Sequence, residues 1–296
     1  MPAPLHRVFL DVDGTLRNGW KVLGYFLLVA AVSLVLSPLY RLLPRPIRAA
    51  FPGQWVGALA CLAAAWAFLR TEAAPLSALG LRLNGRFLGH LVLGTLGGCA
   101  LMGASAGLAW SLGGLHWTRT PGVGLAALSS AARLFLAVAL FEELLFRGYA
   151  FQRAARGLGF AGAQAAFALL FALMHWRNPG MAGATKAWAT MNIALAALLL
   201  GFCWRRTGSL ALPIGVHLGW NWTQGSLLGF GVSGTASQGW WTPAFHGRPE
   251  WLTGGAFGLE ASLPGALVCG AAVLALWVWK GAGEDATGGA STASGS

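Results

Sequence analysis

The sequence predicts an all-α polytopic membrane protein, a bundle of about eight transmembrane helices with no separate soluble domain. Three observations carry that prediction. Of its 296 residues, 56% are hydrophobic and only 10% are charged, against about 25% charged in a soluble domain. Apolar runs approaching the roughly 20 residues that cross about 30 Å of hydrocarbon recur along most of the chain. Basic residues gather at the ends of those runs, where they anchor helix termini and set topology.

Taken in order, residues 1–21 form a short, polar, interfacial segment, and the membrane bundle occupies 22–280. The candidate spans cover about 22–40, 54–69, 87–112, 122–141, 160–176, 188–204, 208–229 and 262–279. Lys21 and Arg41 bracket the first, Arg70 follows the second, Arg86 precedes the third, and Arg205 and Arg206 follow the sixth. The second and fifth are short, as expected of tilted, protein-buried or incomplete spans. Small residues through Gly94–Gly107 permit close helix packing. The stretch Gly229–Gly258 is rich in Gly, Ser, Thr and Trp and reads as an extramembrane or interfacial loop, with Trp240, Trp241 and Trp251 at headgroup level. The tail 281–296 lacks residues to bury and is expected to be disordered. With the N-terminus in the cytoplasm, twelve Lys and Arg fall inside and seven outside, which favours both termini inside.

Composition also excludes. A net charge of +11 would suggest nucleic acid for a soluble protein, but 17 of the 20 basic residues are Arg, mostly flanking apolar runs, and no nucleic-acid partner is expected. Cys61, Cys99, Cys203 and Cys269 stand far apart inside apolar segments, without a CxxC pair, so neither a thiolate zinc site nor a disulfide framework is indicated.

Against this apolar background, the adjacent acids Glu142 and Glu143 stand out, with Arg147 one turn on. A carboxylate at the centre of a membrane helix costs roughly 2.5–3.5 kcal/mol on insertion scales. In a helix, Glu143 and Arg147 share a face, while Glu142 points about 100° away. One acid is then held by Arg while its neighbour is free for chemistry, or both belong to a structural ion pair. His175 closes the fifth span; His217 and Asn221 lie i, i+4 in the seventh. Intramembrane polar groups tend to face one interior site. A carboxylate can take a proton from water, a histidine can orient that water, and Asn or His donors can hold an oxyanion. Glu142, His175 and His217 are also candidate ligands for one divalent metal such as zinc; no HExxH occurs, and a metal-free site fits the same residues.

Glu142-Glu143-x-x-x-Arg147, Phe171-x-x-x-His175 and His217-x-x-x-Asn221, in that order on separate spans, resemble the three motifs of the CPBP family. These are intramembrane endopeptidases, the CAAX protease and bacteriocin-processing (Abi) group, commonly labelled metalloproteases. The likeness covers about 138–234 and includes Asn178-Pro179 and the run from Arg206 to His217. It implies that Glu142 activates water, Glu143 and Arg147 support it, His175 partners the glutamate and water, and His217 and Asn221 stabilise the oxyanion. It also implies a protein or peptide substrate presented at the lipid bilayer, in a bacterial cytoplasmic membrane. A proton-coupled transporter, or a non-catalytic scaffold or immunity protein, would use the same polar residues.

Two further features are weaker. Asp11-Val12-Asp13-Gly14-Thr15 resembles a phosphatase nucleophile loop, but no soluble domain follows to complete it. Glu250 and Glu260 are expected to be solvated.

Overall fold

The computed structural model describes residues 6–279; the tail expected to be disordered lies outside them. A short α1 (His6–Phe9) precedes α2 (Asn18–Leu42), α3 (Arg45–Ala50), α4 (Gln54–Thr71) and α5 (Gly85–Ser111). After β1 (His116–Arg119) come α6 (Leu125–Phe146), α7 (Tyr149–Met174), α8 (Gly183–Thr207) and α9 (Ala211–Trp222). Then follow β2 (Trp241–Ala244), α10 (Glu250–Thr253) and α11 (Leu263–Val278).

A helix lies on each of the eight apolar segments, yet four stretches are long and apolar enough to cross a membrane: Asn18–Leu42, Gly85–Ser111, Leu125–Arg177 and Gly183–Thr207. The difference from eight has a physical origin. Helices α9 and α11, of 12 and 16 residues, rise only about 18 and 24 Å, short of about 30 Å of hydrocarbon. Helix α4, long enough at 18 residues, is less apolar because it runs from Gln54 to Arg70 and Thr71. In α9, ten of the twelve residues are buried, so its apolar run is protein core rather than lipid-facing surface. Helices α6 and α7 form one continuous apolar stretch.

The break that matters most lies inside α7. Gly159 has φ 71° and ψ 164°, a conformation open almost only to glycine. It divides the helix into a first portion ending at Leu158 and a second that runs to Met174, and the second coincides with the fifth predicted span.

Helix α9 is seated on α5 by backbone contact. Gly94 and Gly98 on α5 face Gly215 and Gly219 on α9. A Cβ added at any of them would come within 2.1–2.4 Å of a carbonyl oxygen of the opposite helix. Small residues four apart on both helices allow this approach, and His217 sits between the two α9 glycines.

The all-α expectation is modified by one antiparallel ribbon, in which β1 pairs with β2 in the register His116↔Ala244 to Arg119↔Trp241. The predicted loop after α9 is also more than a solvated connection. Phe230, Val232, Leu252 and Phe257 are buried, and the segment folds back over the helices. At the other end of the bundle, Glu72 accepts from Tyr149 Oη (2.7 Å) and Arg153 Nε (3.0 Å) and pairs with Lys21 Nζ (3.2 Å). This ties α2, α4 and α7 together. Burial alone would push its carboxyl up, but the Arg153, Tyr149 and Lys21 donors outweigh that and hold it below the ordinary value of 4.5.

Candidate active site

The polar residues singled out by the sequence converge from three helices. The last turn of α6 carries Glu142 and Glu143, and Arg147 caps it, its N–H donating to the Glu143 carbonyl at 2.8 Å. Gly148 then permits an abrupt turn, since a Cβ there would lie 2.2 Å from the Leu144 carbonyl oxygen. A straight 26-residue helix would carry its far end about 39 Å away. The break at Gly159 shortens that path, and His175, at the end of α7, lines the same cavity as Glu142. This accounts for a geometry that alternating straight spans would not produce. His217 and Asn221 come from α9, followed by a wider π-turn at Thr223–Leu227.

Glu143 is fully buried and Arg147 nearly so. Arg147 Nη1 donates to Glu143 Oε1 (3.1 Å), Nη2 donates to the Ala197 carbonyl (3.0 Å), and the guanidinium lies 5.0 Å from the Phe171 ring centroid. On the same carboxylate oxygen, His217 Nδ1 donates at 2.9 Å. The other His217 nitrogen, Nε2, stands 3.8 Å from Glu142 Oε2. His217 thus bridges the two acids, and Glu142, rather than Glu143, opens to the cavity, its side chain 21% exposed.

His175 is placed differently. Its Nδ1 is 2.7 Å from the Phe171 carbonyl oxygen, which can only accept, so Nδ1 carries the hydrogen and Nε2 remains for other partners. Its ring stacks on Phe171 at 4.7 Å. The structure therefore sets His217, not His175, within ion-pair distance of Glu142. Asn221 is buried and lines the cavity, and its side chain makes no hydrogen bond within the described residues.

The cavity measures about 460 Å³. Its wall includes a residue expected to be solvated. Glu260 lines it beside Glu142, His175 and His217, and its Oε2 accepts from both the N–H and the Oγ of Ser233 at 2.7 Å. A lone acid in a Gly-rich stretch gives no periodic signal, and the only hint of this role was its scarcity. Glu250, by contrast, is exposed and accepts from Thr185 Oγ1.

A divalent metal needs three or more donors directed at one point. Among the described residues no three His, Cys, Asp or Glu side chains converge as a metal-binding group. His217 Nδ1 is bonded to Glu143 and His175 Nδ1 to a carbonyl, which leaves Nε2 of each ring open, as in histidines that ligate a metal. Glu142, His175 and His217 line one cavity but are not gathered on a single point as arranged. The Asp11 motif forms no site either. Its carboxylate accepts from the Thr15 hydroxyl (2.7 Å), the Thr15 N–H (2.9 Å) and the Asp13 N–H (3.1 Å). Chiefly through the Thr15 hydroxyl, this exposed turn holds Asp11 below the usual carboxylate range.

No curated protein matches the chain. Residues 124–223 match the family model described as Type II CAAX prenyl endopeptidase Rce1-like, a stretch that contains Glu142, Glu143, Arg147, His175, His217 and Asn221. With four helical stretches long and apolar enough to cross a membrane, the chain is an integral membrane protein, and its residues 124–223 are similar to the CPBP/CAAX protease family.

Proposed function

We propose that this protein is an intramembrane endopeptidase that hydrolyses a peptide bond of a membrane-presented protein or peptide through glutamate-activated water. The observation that carries the reading is the meeting of Glu142, His175, His217 and Asn221 on one cavity, with Glu143 and Arg147 locked behind them. The family match supports protease activity in general.

In this reading Glu142 takes a proton from water, and the water oxygen attacks the scissile carbonyl carbon. His217, fixed by Glu143 through Nδ1, sets Nε2 beside Glu142 and the attacking water. The Asn221 amide lines the cavity where negative charge develops on the carbonyl oxygen and is the candidate oxyanion donor. His175, its Nδ1 hydrogen given to the Phe171 carbonyl, presents Nε2 there as an acceptor for the water or a proton. Glu142 then returns its proton to the amide nitrogen, the C–N bond breaks, and the products leave as a carboxylic acid and an amine. Arg147 neutralises Glu143, which could not otherwise stand beside Glu142 in a low-dielectric interior. The distribution of Lys and Arg supports cytoplasmic termini.

The test is cleavage of a peptide library in proteoliposomes, read by mass spectrometry, for the wild type and Glu142→Gln. Cleavage that vanishes in the variant while its thermal unfolding is unchanged supports the reading. Equal cleavage by both proteins removes Glu142 from the chemistry and overturns it.

A further inference from the structure

Glu260 belongs to none of the three motifs and lies outside the matched segment 124–223, yet it shares the cavity with Glu142, His175 and His217. Its setting is built. Ser233 supplies two donors to Oε2, each at 2.7 Å, and Oε1 makes no hydrogen bond within the described residues. Ser233 itself has φ 48°, a left-handed backbone that a non-glycine residue adopts at a cost of about 1–3 kcal/mol and that clusters at ligand clamps. The strained turn is pinned from two further directions. The Asn178 Nδ2 donates to the Ser233 carbonyl (2.9 Å), and the Gly234 N–H donates to the Phe257 carbonyl (3.1 Å). A Cβ at Gly234 would stand 2.0 Å from the Pro179 carbonyl oxygen, so no larger residue fits this clamp.

The charge around it is one-sided. Glu142 and Glu260 both line the cavity, and among its described lining residues there is no Lys or Arg. Arg147 is turned away, its guanidinium bonded to Glu143 and the Ala197 carbonyl. A half-satisfied carboxylate on a cavity whose described lining holds two histidines but no Lys or Arg lacks a permanently charged partner that a ligand can bring.

Resting on the protease reading above, we infer that Glu260 is the substrate-recognition carboxylate of this cavity, taking a basic side chain, Lys or Arg, from the substrate segment beside the scissile bond. Glu142 performs the chemistry, and Glu260 selects and registers the peptide. An arriving cation also holds the carboxylate in its charged form, and an acidic side chain at the same place meets two carboxylates.

The test uses binding and cleavage separately. Labelled peptides from a positional scan carry Lys, norleucine, Glu or Nε-acetyl-lysine at one position. Their binding is measured by fluorescence anisotropy to full-length Glu142→Gln protein in proteoliposomes. At one position or more, Lys should bind about tenfold or more tightly than norleucine, as expected of a charge-assisted hydrogen bond; acetylation should abolish the gain, and Glu should bind worst. Adding Glu260→Gln should bring the Lys to norleucine ratio to about one. The acetyl-lysine comparison needs no substitution at Glu260, so it decides the matter even where that variant fails to fold. Absence of any Lys preference, or of binding by any Lys peptide, overturns the inference. Cleavage of the same peptides without Lys preference sinks recognition and leaves the protease standing. Charge-selective binding that depends on Glu260, with no peptide cut by the wild type, sinks the protease and leaves recognition standing.

Discussion

Replacing Gly219 by alanine should disable the site without touching a polar residue. The added Cβ would lie 2.1 Å from the Thr95 carbonyl oxygen, where Cβ atoms essentially never come closer than 3.0 Å. The α5 and α9 backbones must therefore separate by at least 0.9 Å at that point. On its other sides α9 packs against α6 and α8, so the displacement either overpacks those contacts or carries His217, two residues away, off its 2.9 Å bond to Glu143. Added to that bond, 0.9 Å exceeds hydrogen-bonding range. Overpacking costs about 1–3 kcal/mol, and a misplacement near 1 Å can cost about 10²-fold in rate. Thermal unfolding in detergent and kcat/KM on a cleaved peptide read the two effects. Gly97→Ala is the control, because its Cβ meets nothing within 4 Å and alanine is the better helix former. Gly219→Ala and Gly97→Ala behaving alike in both assays would refute the argument.

Four other outcomes are expected. Arg147→Met leaves Glu143 buried with His217 as its sole partner and should destabilise by about 3–5 kcal/mol; pairing it with Glu143→Gln should recover part of the loss in thermal unfolding. Gly159→Ala places a side chain at φ 71°, ψ 164° and should cost about 1–3 kcal/mol, with cleavage falling as His175 shifts. Asn221→Ala should retain folding and lose about 10²–10³-fold in kcat; an unchanged kcat would remove Asn221 from the oxyanion site. The Glu72 carboxyl lies lower in the folded than in the unfolded chain, so its stabilisation is full above about pH 4.5 and is lost as pH falls through the folded value. Glu72→Gln should therefore lower the unfolding temperature at pH 7, with the gap to wild type closing in acid; a gap constant with pH would contradict this.

How much was legible followed from the kind of signal each feature leaves. The eight helices are visible because burial in lipid or protein demands long apolar runs, but the same apolarity marks α9, a 12-residue interior helix. Hydropathy does not separate a lipid-facing span from one enclosed by protein. Glu142, Glu143, His175, His217 and Asn221 are conspicuous because ionisable groups are scarce in an apolar chain, and the structure brings them together. Their pairing was less accessible. His217 rather than His175 reaches Glu142, since side-chain partners depend on the rotation of α9 about its axis, which the glycine faces of α5 and α9 fix. Those faces are written as two G-x-x-x-G spacings, 94–98 and 215–219, whose meaning appears only when they are seen opposed. Ser233 and Glu260 are 27 residues apart in segments without periodicity, and no local pattern links them.

The Glu72 cluster bears on how the chain is assembled during synthesis. Lys21 and Glu72 emerge early, and Arg153 follows 81 residues after Glu72. At about 5–20 residues per second, that interval lasts about 4–16 s. Until then Lys21 is the one member of the donor set Lys21, Tyr149 and Arg153 that has been made. The contact that ties α2 and α4 to α7 can therefore form only after α7 has been made, so the junction between the early helices and the later ones is a late step of assembly.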